Sequence, residues 1–241
     1  MSPFLGEFIG TLLLVLFGDG VVANVILNKS KGQNSGWMVI ATGWGFAVMI
    51  GAFAAQAFGS PDAHLNPAAT VWAAVAHGDY SKLPVYLPAQ FLGAFAGAVL
   101  VWLHYLPHWK ETQDQGGKLG CFCTAPAIRS TPANLISEVM GTAALLIGAG
   151  AISSGNVAPN GLAGGIGPFL AGALVWGIGL SLGGPTGYAI NPARDPGPRI
   201  AHAILPIAGK GPADWSYSWI PVVGPLAAAV VIGLFFKAVF G

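Results

Sequence analysis

Charged side chains are scarce in this chain of 241 residues, where 10 Lys and Arg and 9 Asp and Glu make up only 8% of the sequence. A soluble domain carries about 25% charged residues, so the composition excludes an ordinary water-soluble fold. The formal net charge of +1 leaves no basic surface for a phosphate backbone, which excludes a nucleic acid partner. The two cysteines, Cys121 and Cys123, lie too close together to staple a fold and lack the partners of a zinc site. We therefore expect no metal and no cofactor.

Hydrophobic residues make up 54% of the chain, and most of them lie in six long stretches. At 1.5 Å per residue each stretch is ~27 to 36 Å long as a helix, enough to cross a hydrocarbon core of about 30 Å. The first stretch has no basic segment before it and no cleavage site after it, so it is a span and not a signal peptide. The six stretches cover residues 4–27, 37–58, 85–106, 135–152, 162–182 and 219–240.

Two further apolar segments, at 66–77 and 191–205, are too short to cross. From 67 to 77 a helix would be about 16 Å long, half of the membrane. Each segment opens with the tripeptide Asn-Pro-Ala, namely Asn66, Pro67 and Ala68 in the first and Asn191, Pro192 and Ala193 in the second. The sequence predicts two re-entrant half-helices.

The chain also repeats itself, because residues 6–11 (GEFIGT) are echoed by residues 137–142 (SEVMGT). Three spans in each copy is an odd number, so the second copy must enter from the opposite face of the membrane. We predict an all-α membrane fold with six transmembrane helices and two re-entrant half-helices in an inverted repeat, a design that places functional sites near the midplane. The first repeat is residues 1–107, the connecting loop 108–132 and the second repeat 133–241.

The chemistry of Asn-Pro explains what the half-helices could do at mid-membrane. The Asn oxygen caps the first turn and Pro is preset for the first helical position, which leaves the Asn amide NH2 free to donate to a solute. Each helix N-terminus carries about +0.5 charge. Two such ends facing each other in a narrow, low-dielectric passage repel cations and accept neutral hydroxylic solutes.

Small residues at helical spacing indicate close approach between spans. The pairs are Gly6 and Gly10, Gly93 and Gly97, and Gly161 and Gly165.

The segments 63–68 (AHLNPA) and 187–195 (GYAINPARD) resemble the two signature loops of the major intrinsic protein family, the aquaporins and aquaglyceroporins. The resemblance spans almost the whole chain and is strongest to bacterial glycerol facilitators. It implies a passive channel in the cell membrane for glycerol and related small uncharged polyols, one that also passes water. It further implies a homotetramer with a cytoplasmic N-terminus, although the distribution of lysines favours the reverse orientation.

The same resemblance implies a selectivity filter made of Trp44, Gly179, Tyr188 and Arg194. Arginine offers five N–H donors to adjacent hydroxyls, and two aromatic faces can contact the carbons of a polyol. Gly179 has no side chain, which leaves space for the Tyr188 ring to move or for a three-carbon solute to pass. If the two loops are extended, their backbone carbonyls supply acceptors along the pore. These carbonyls belong to Ala63, His64, Leu65, Gly187, Tyr188 and Ala189.

Buried carboxylates need partners in a membrane. The resemblance implies that Glu7 and Glu138 accept hydrogen bonds from the signature loops and that Asp195 braces the second loop. Asp19, in the middle of the first span, could be protonated, face the tetramer centre, or mark an ion or proton site.

Three alternatives to a glycerol channel follow. They are a broader pore for water, dihydroxyacetone or urea, a secondary transporter that uses Asp19 for coupling, and an intramembrane enzyme. The enzyme is the weakest, because no Ser/His or paired-Asp arrangement marks catalytic residues.

Overall fold

The computed structural model describes residues 1–240, which form ten α-helices and no strand. Five of the helices are long and apolar enough to cross a membrane, and α8, with 17 residues, is the shorter sixth. The helices are α1 Pro3–Ile26, α2 Trp37–Ala57, α3 Pro67–His77, α4 Leu83–His104, α5 Leu106–Glu111, α6 Gln115–Gly120, α7 Thr131–Ser153, α8 Ile166–Leu182, α9 Pro196–Ile204 and α10 Ile220–Phe240.

The fifth predicted span, at 162–182, is shorter than its apolar stretch. Residues 162–165 precede α8, which begins at Ile166 after Gly165 in a left-handed conformation with φ of 81°. Gly161 also has a positive φ, of 76°. The expectation that Gly161 and Gly165 pack helices together is therefore wrong, since glycine is used here for the turns that lead into α8.

The other small residues do bring helices close together. A Cβ on Gly10 would lie 2.8 Å from the carbonyl oxygen of Gly51 in α2, and a Cβ on Gly93 would lie 2.4 Å from that of Phe8 in α1. Only glycine permits such backbone contact, which supplies the packing that lipid cannot drive. Gly6 and Gly97 make equally close approaches to backbone oxygens.

The two half-helices exchange partners between the halves of the chain. Helix α3 packs on α10, α9 packs on α4, and α2 packs on α8. Each short helix is thus held by a span from the other half of the sequence. This exchange brings the loops before α3 and α9 together inside the bundle.

The second half-helix begins later than predicted. Helix α9 starts at Pro196 with Asp195 as its N-cap, and turns occupy residues 192–195. Pro196 and Pro198 have no backbone N–H, so two bonds of the helical ladder are missing in this region. The tripeptide alone predicts a helix directly after Asn191, whereas the two prolines predict an irregular start, which is what the turns at 192–195 show.

The connecting segment 108–132 is more ordered than a plain loop. It contains most of α5 and all of α6, and it buries Trp109 and Phe122 against the bundle. Its residues Phe122 and Thr124 contact the second signature loop at Arg194 and Asp195. This position allows the segment to supply backbone groups to the site described next.

Candidate channel and selectivity filter

Both Asn-Pro-Ala segments are capped by their own asparagine. The backbone N–H of Ala68 donates to Oδ1 of Asn66 at 2.8 Å. In the second segment the N–H groups of Ala193 and Arg194 donate to Oδ1 of Asn191 at 3.0 and 3.3 Å. The oxygen of each asparagine is therefore used for capping, which leaves its NH2 for another partner.

The two asparagines are also joined crosswise to the opposite loops. Nδ2 of Asn66 donates to the carbonyl of Ile190 at 2.8 Å, and Nδ2 of Asn191 donates to the carbonyl of Leu65 at 2.8 Å. An amide NH2 has two hydrogens, so one remains for a solute. The expectation of a wholly free NH2 is wrong, and the carbonyls of Leu65 and Ile190 each already accept one hydrogen bond.

The signature loops are not extended, although the expectation that their carbonyls serve as pore acceptors assumed an extended backbone. Left-handed φ values recur in both loops, a conformation that costs energy in residues other than glycine and is typical of functional sites. The values are 47° at Ala63, 52° at Leu65, 76° at Gly187, 39° at Tyr188 and 42° at Ile190.

Glu7 holds the first loop in this conformation. Its Oε1 accepts hydrogen bonds from the hydroxyl of Ser60 at 2.6 Å and the N–H of His64 at 2.9 Å. Its Oε2 accepts from the N–H of Leu65 at 2.8 Å and the side chain of Gln90 at 2.7 Å. One fully buried carboxylate thus satisfies four donors, two of them backbone groups.

Glu138 occupies the equivalent place beneath the second loop. It accepts hydrogen bonds from the hydroxyl of Thr186 at 2.7 Å and from the N–H groups of Ala189 at 3.0 Å and Ile190 at 2.8 Å. A buried charge is tolerable when its lone pairs are filled in this way. The two carboxylates have matching contacts in the two halves.

Asp195 lies in a network that the sequence analysis did not foresee. The carboxylate accepts from the N–H and hydroxyl of Thr124, both at 2.7 Å, and from Nε of Arg199 at 2.9 Å. Arg199 also donates to the carbonyls of Thr124 and Ala213. The spacing of Asp195 and Arg199 at i and i+4 on a helix was a usable signal, whereas nothing in the sequence indicated Thr124.

The four candidate filter residues form two contacting pairs, Arg194 with Trp44 and Gly179 with Tyr188. Cζ of Arg194 lies 4.2 Å from the centroid of the Trp44 ring, a cation–π distance, and Nη1 donates to the carbonyl of Phe122 at 3.3 Å. A Cβ on Gly179 would lie 2.7 Å from the Tyr188 hydroxyl. Gly179 therefore provides the space that the Tyr188 ring uses.

Trp37, at the start of α2, contacts both Gly179 and Tyr188. Its indole N–H donates to the carbonyl of Gly179 at 3.0 Å, and its ring meets that of Tyr188 edge to face at 5.9 Å. The sequence alone does not indicate this role of Trp37, because a tryptophan at the start of a span is typical of the membrane–water interface.

A cavity of about 470 Å³ runs beside these groups. Its walls include both asparagines, three of the filter residues and apolar side chains of α2, α7 and α8. Gly179 is not among its lining residues. The polar lining consists mainly of Gln56, Asp62, His64, Asn66, Ser153, Tyr188, Asn191 and Arg194.

Asp62 places a carboxylate on the cavity wall. Burial would raise the pKa of Asp62, but hydrogen bonds from Lys82 and Tyr86 outweigh it and hold the pKa below its usual range. Lys82 Nζ lies 2.7 Å and Tyr86 OH 2.6 Å from Oδ2. The charge on this carboxylate is therefore already paired.

Asp19 lies beside the filter and not on the outside of the bundle. The residue is fully buried, and its Oδ1 lies 3.6 Å from Nη1 of Arg194. An orientation of this side chain towards a tetramer centre is therefore wrong. Two alternatives for Asp19 remain: a protonated side chain, or an ion or proton site.

Comparisons with known proteins agree with this architecture. A family model described as "Major intrinsic protein" matches residues 1–236. The chain is 56% identical over 232 residues to a probable glycerol uptake facilitator protein of Thermotoga maritima, covering 96% of both chains. It is 51% identical to the glycerol uptake facilitator protein of Bacillus subtilis, covering 100% of this chain and 85% of the relative.

A solved structure gives the same fold. The X-ray structure of the aquaglyceroporin from Plasmodium falciparum superposes with a TM-score of 0.84 at 30% identity and covers 98% of this chain and 95% of that one. The predicted all-α fold with six spans and two re-entrant half-helices is confirmed.

Proposed function

We propose that this chain, which belongs to the major intrinsic protein family, is a passive membrane channel for glycerol and related small uncharged polyols. The channel also passes water, and the protein is not an enzyme. The relatives named as glycerol facilitators match it over nearly its full length. The finer proposals below concern the residues that select the solute, the assembly and the orientation.

The observation that carries the proposal is the pairing of a donor with an aromatic wall at the filter. Arg194 lines the cavity with its guanidinium against the Trp44 ring, and Tyr188 lines the same cavity. A polyol has hydroxyls that need donors and carbons that need an apolar face. We propose that Arg194 binds the hydroxyls while Trp44 and Tyr188 contact the carbons.

Ion exclusion follows from the meeting of the two half-helices. Two segments direct N–H groups and partial positive charge towards the cavity. They are the N-terminus of α3 and the turn before α9. A cation entering this narrow passage loses its hydration and meets the positive ends of both half-helices. The remaining N–H of Asn66 and of Asn191 orients a hydroxyl oxygen, so neutral solutes pass.

The assembly and orientation proposals are those of the family. We propose a homotetramer in the cell membrane with the N-terminus in the cytoplasm, and a division into repeats at 1–107 and 133–241 joined by 108–132. Large apolar side chains on the outer surface, such as Phe17, Phe46 and Phe53, are exposed. Lipid and neighbouring subunits would cover them.

The function is tested by comparing water and glycerol permeability in proteoliposomes that contain the purified protein. We expect glycerol uptake that rises linearly with concentration and does not depend on a proton gradient. Saturation at low concentration, or dependence on the gradient, would support the transporter with Asp19 as its coupling carboxylate. Equal rates for urea, dihydroxyacetone and glycerol would favour the broader pore.

Arg194→Val is expected to raise proton and monovalent cation leak by at least about tenfold, the change that 1.4 kcal/mol produces. The substitution removes the guanidinium that opposes cations at the filter, while the smaller side chain leaves the pore open. Conductance and a pH-sensitive dye in proteoliposomes measure the leak. Arg129→Val is the matched control, since Arg129 lies on the surface with its side chain 54% exposed. Unchanged leak in Arg194→Val would remove the proposed role.

A further inference from the structure

Asp19 is a buried carboxylate that the proposed function does not use. It lies in α1 with 0% exposure, and among residues 1–240 neither of its oxygens has a hydrogen-bond partner. The nearest cationic atom is Nη1 of Arg194, 3.6 Å from Oδ1. Asp19 does not line the cavity, whereas Arg194 does. Any effect of Asp19 on a solute therefore passes through Arg194.

The charges around the filter can be assigned in pairs. Arg194 is always protonated, and its side chain is almost completely buried. The other nearby carboxylate, Asp195, is already engaged by Arg199 at 2.9 Å and by Thr124. Only Asp19 remains to balance Arg194. A buried cation without a partner is strongly unfavourable, so the position of Asp19 behind the guanidinium has a physical reason.

We propose that Asp19 is the counter-ion of Arg194 and a specificity-determining residue of the filter, a proposal that rests on the channel function above. The ionised carboxylate makes the filter electrically neutral as a whole. Arg194 can then donate to hydroxyls without capturing small carboxylate anions.

The reason lies in the geometry of the guanidinium. Its planar fork matches a carboxylate with two parallel hydrogen bonds, and such pairs are among the strongest in proteins. In the structure the only side-chain hydrogen bond of Arg194 within residues 1–240 is the 3.3 Å bond from Nη1 to the Phe122 carbonyl. The other donors would bind an anion if the charge were not balanced. Asp19, at 3.6 Å, balances the charge without occupying these donors.

The test is Asp19→Asn in proteoliposomes at pH 7, with formate as the competing anion and the neutral, nearly isosteric formamide as its control. We expect half-inhibition of glycerol flux by formate at a concentration at least about tenfold lower than in the unchanged protein, which corresponds to 1.4 kcal/mol. Formamide should act equally on both proteins. Asparagine resembles a protonated Asp, so identical formate sensitivity in the two proteins would show that Asp19 carries no charge and would overturn the proposal.

The controls separate this inference from the channel function. If the unchanged protein fails to conduct glycerol, the channel function fails, whereas conduction with no effect of Asp19→Asn removes only the counter-ion. Asp79→Asn, at an exposed residue away from the pore, should match the unchanged protein.

A second pair of variants covers the case in which Asp19→Asn does not fold. Arg194→Gln leaves the Asp19 carboxylate uncompensated and should raise sodium conductance, and combining it with Asp19→Asn should lower the conductance well below that of the single variant. Equal conductance in the single and the double variant would overturn the proposal.

Discussion

Replacing Gly179 by His is expected to lower glycerol permeability by about 100-fold, within the range by which small steric changes discriminate solutes, while water permeability falls far less. A Cβ at this position would already lie 2.7 Å from the Tyr188 hydroxyl. The imidazole must therefore displace the Tyr188 ring or fill the space beside it. Either outcome narrows the filter below the width of a three-carbon solute, and a water molecule needs much less room.

The measurement is the ratio of glycerol to water permeability in the same proteoliposome preparation, since a ratio is independent of how much protein is incorporated. Gly179→Ala and Gly177→Ala form a matched pair on one helix. A Cβ at Gly177 meets nothing within 4 Å, so Gly177→Ala should leave the ratio unchanged, and Gly179→Ala should give an intermediate loss. Equal losses of water and glycerol in Gly179→His would contradict the assignment of the filter.

Glu7→Gln is expected to destabilise the protein by about 2 to 5 kcal/mol, because each buried donor left without an acceptor costs about 1 to 3 kcal/mol. Each oxygen of Glu7 accepts from one backbone N–H, that of His64 or Leu65, and from one side chain. Whichever oxygen becomes NH2 then faces two donors. The first signature loop loses its support, and glycerol flux should fall along with stability.

Unfolding of the detergent-purified variant by heat or denaturant measures this effect. Glu111→Gln is the control, because Glu111 pairs with Lys29 at the surface and such pairs contribute only about 0 to 1 kcal/mol. A Glu7→Gln protein that unfolds with the unchanged protein would show that the loop holds its conformation without the carboxylate.

Sequence patterns predicted the elements of this fold well, because length and hydropathy determine what can cross a membrane. Asn66 begins the first half-helix as its capping chemistry requires. The second half-helix shows that the tripeptide must be interpreted together with the residues that follow it. The same tripeptide at 191–193 precedes Pro196 and Pro198, and their missing N–H groups postpone the α-helix to residue 196.

The long-range contacts could not be predicted from the sequence. Nothing local to Leu65 indicates that its carbonyl accepts from Asn191, 126 residues away. The roles of Phe122 and Thr124 depend on how the connecting segment folds over the second loop. The family resemblance brought Trp44 and Arg194 together as filter residues, and the structure places them 4.2 Å apart. Only the structure could place Asp19 beside them.

The crossed amide bonds have a consequence for biosynthesis. Asn66 donates to a carbonyl that is made 124 residues later, and Asn191 donates to one that is made 126 residues earlier. When the first repeat has entered the bilayer, the amide of Asn66 and the carbonyl of Leu65 have no protein partner, and hydrocarbon supplies none. The first re-entrant loop can therefore complete these two hydrogen bonds only after the second signature loop has been inserted. The polar contacts of the conducting path are thus finished only when both halves of the chain are in the bilayer.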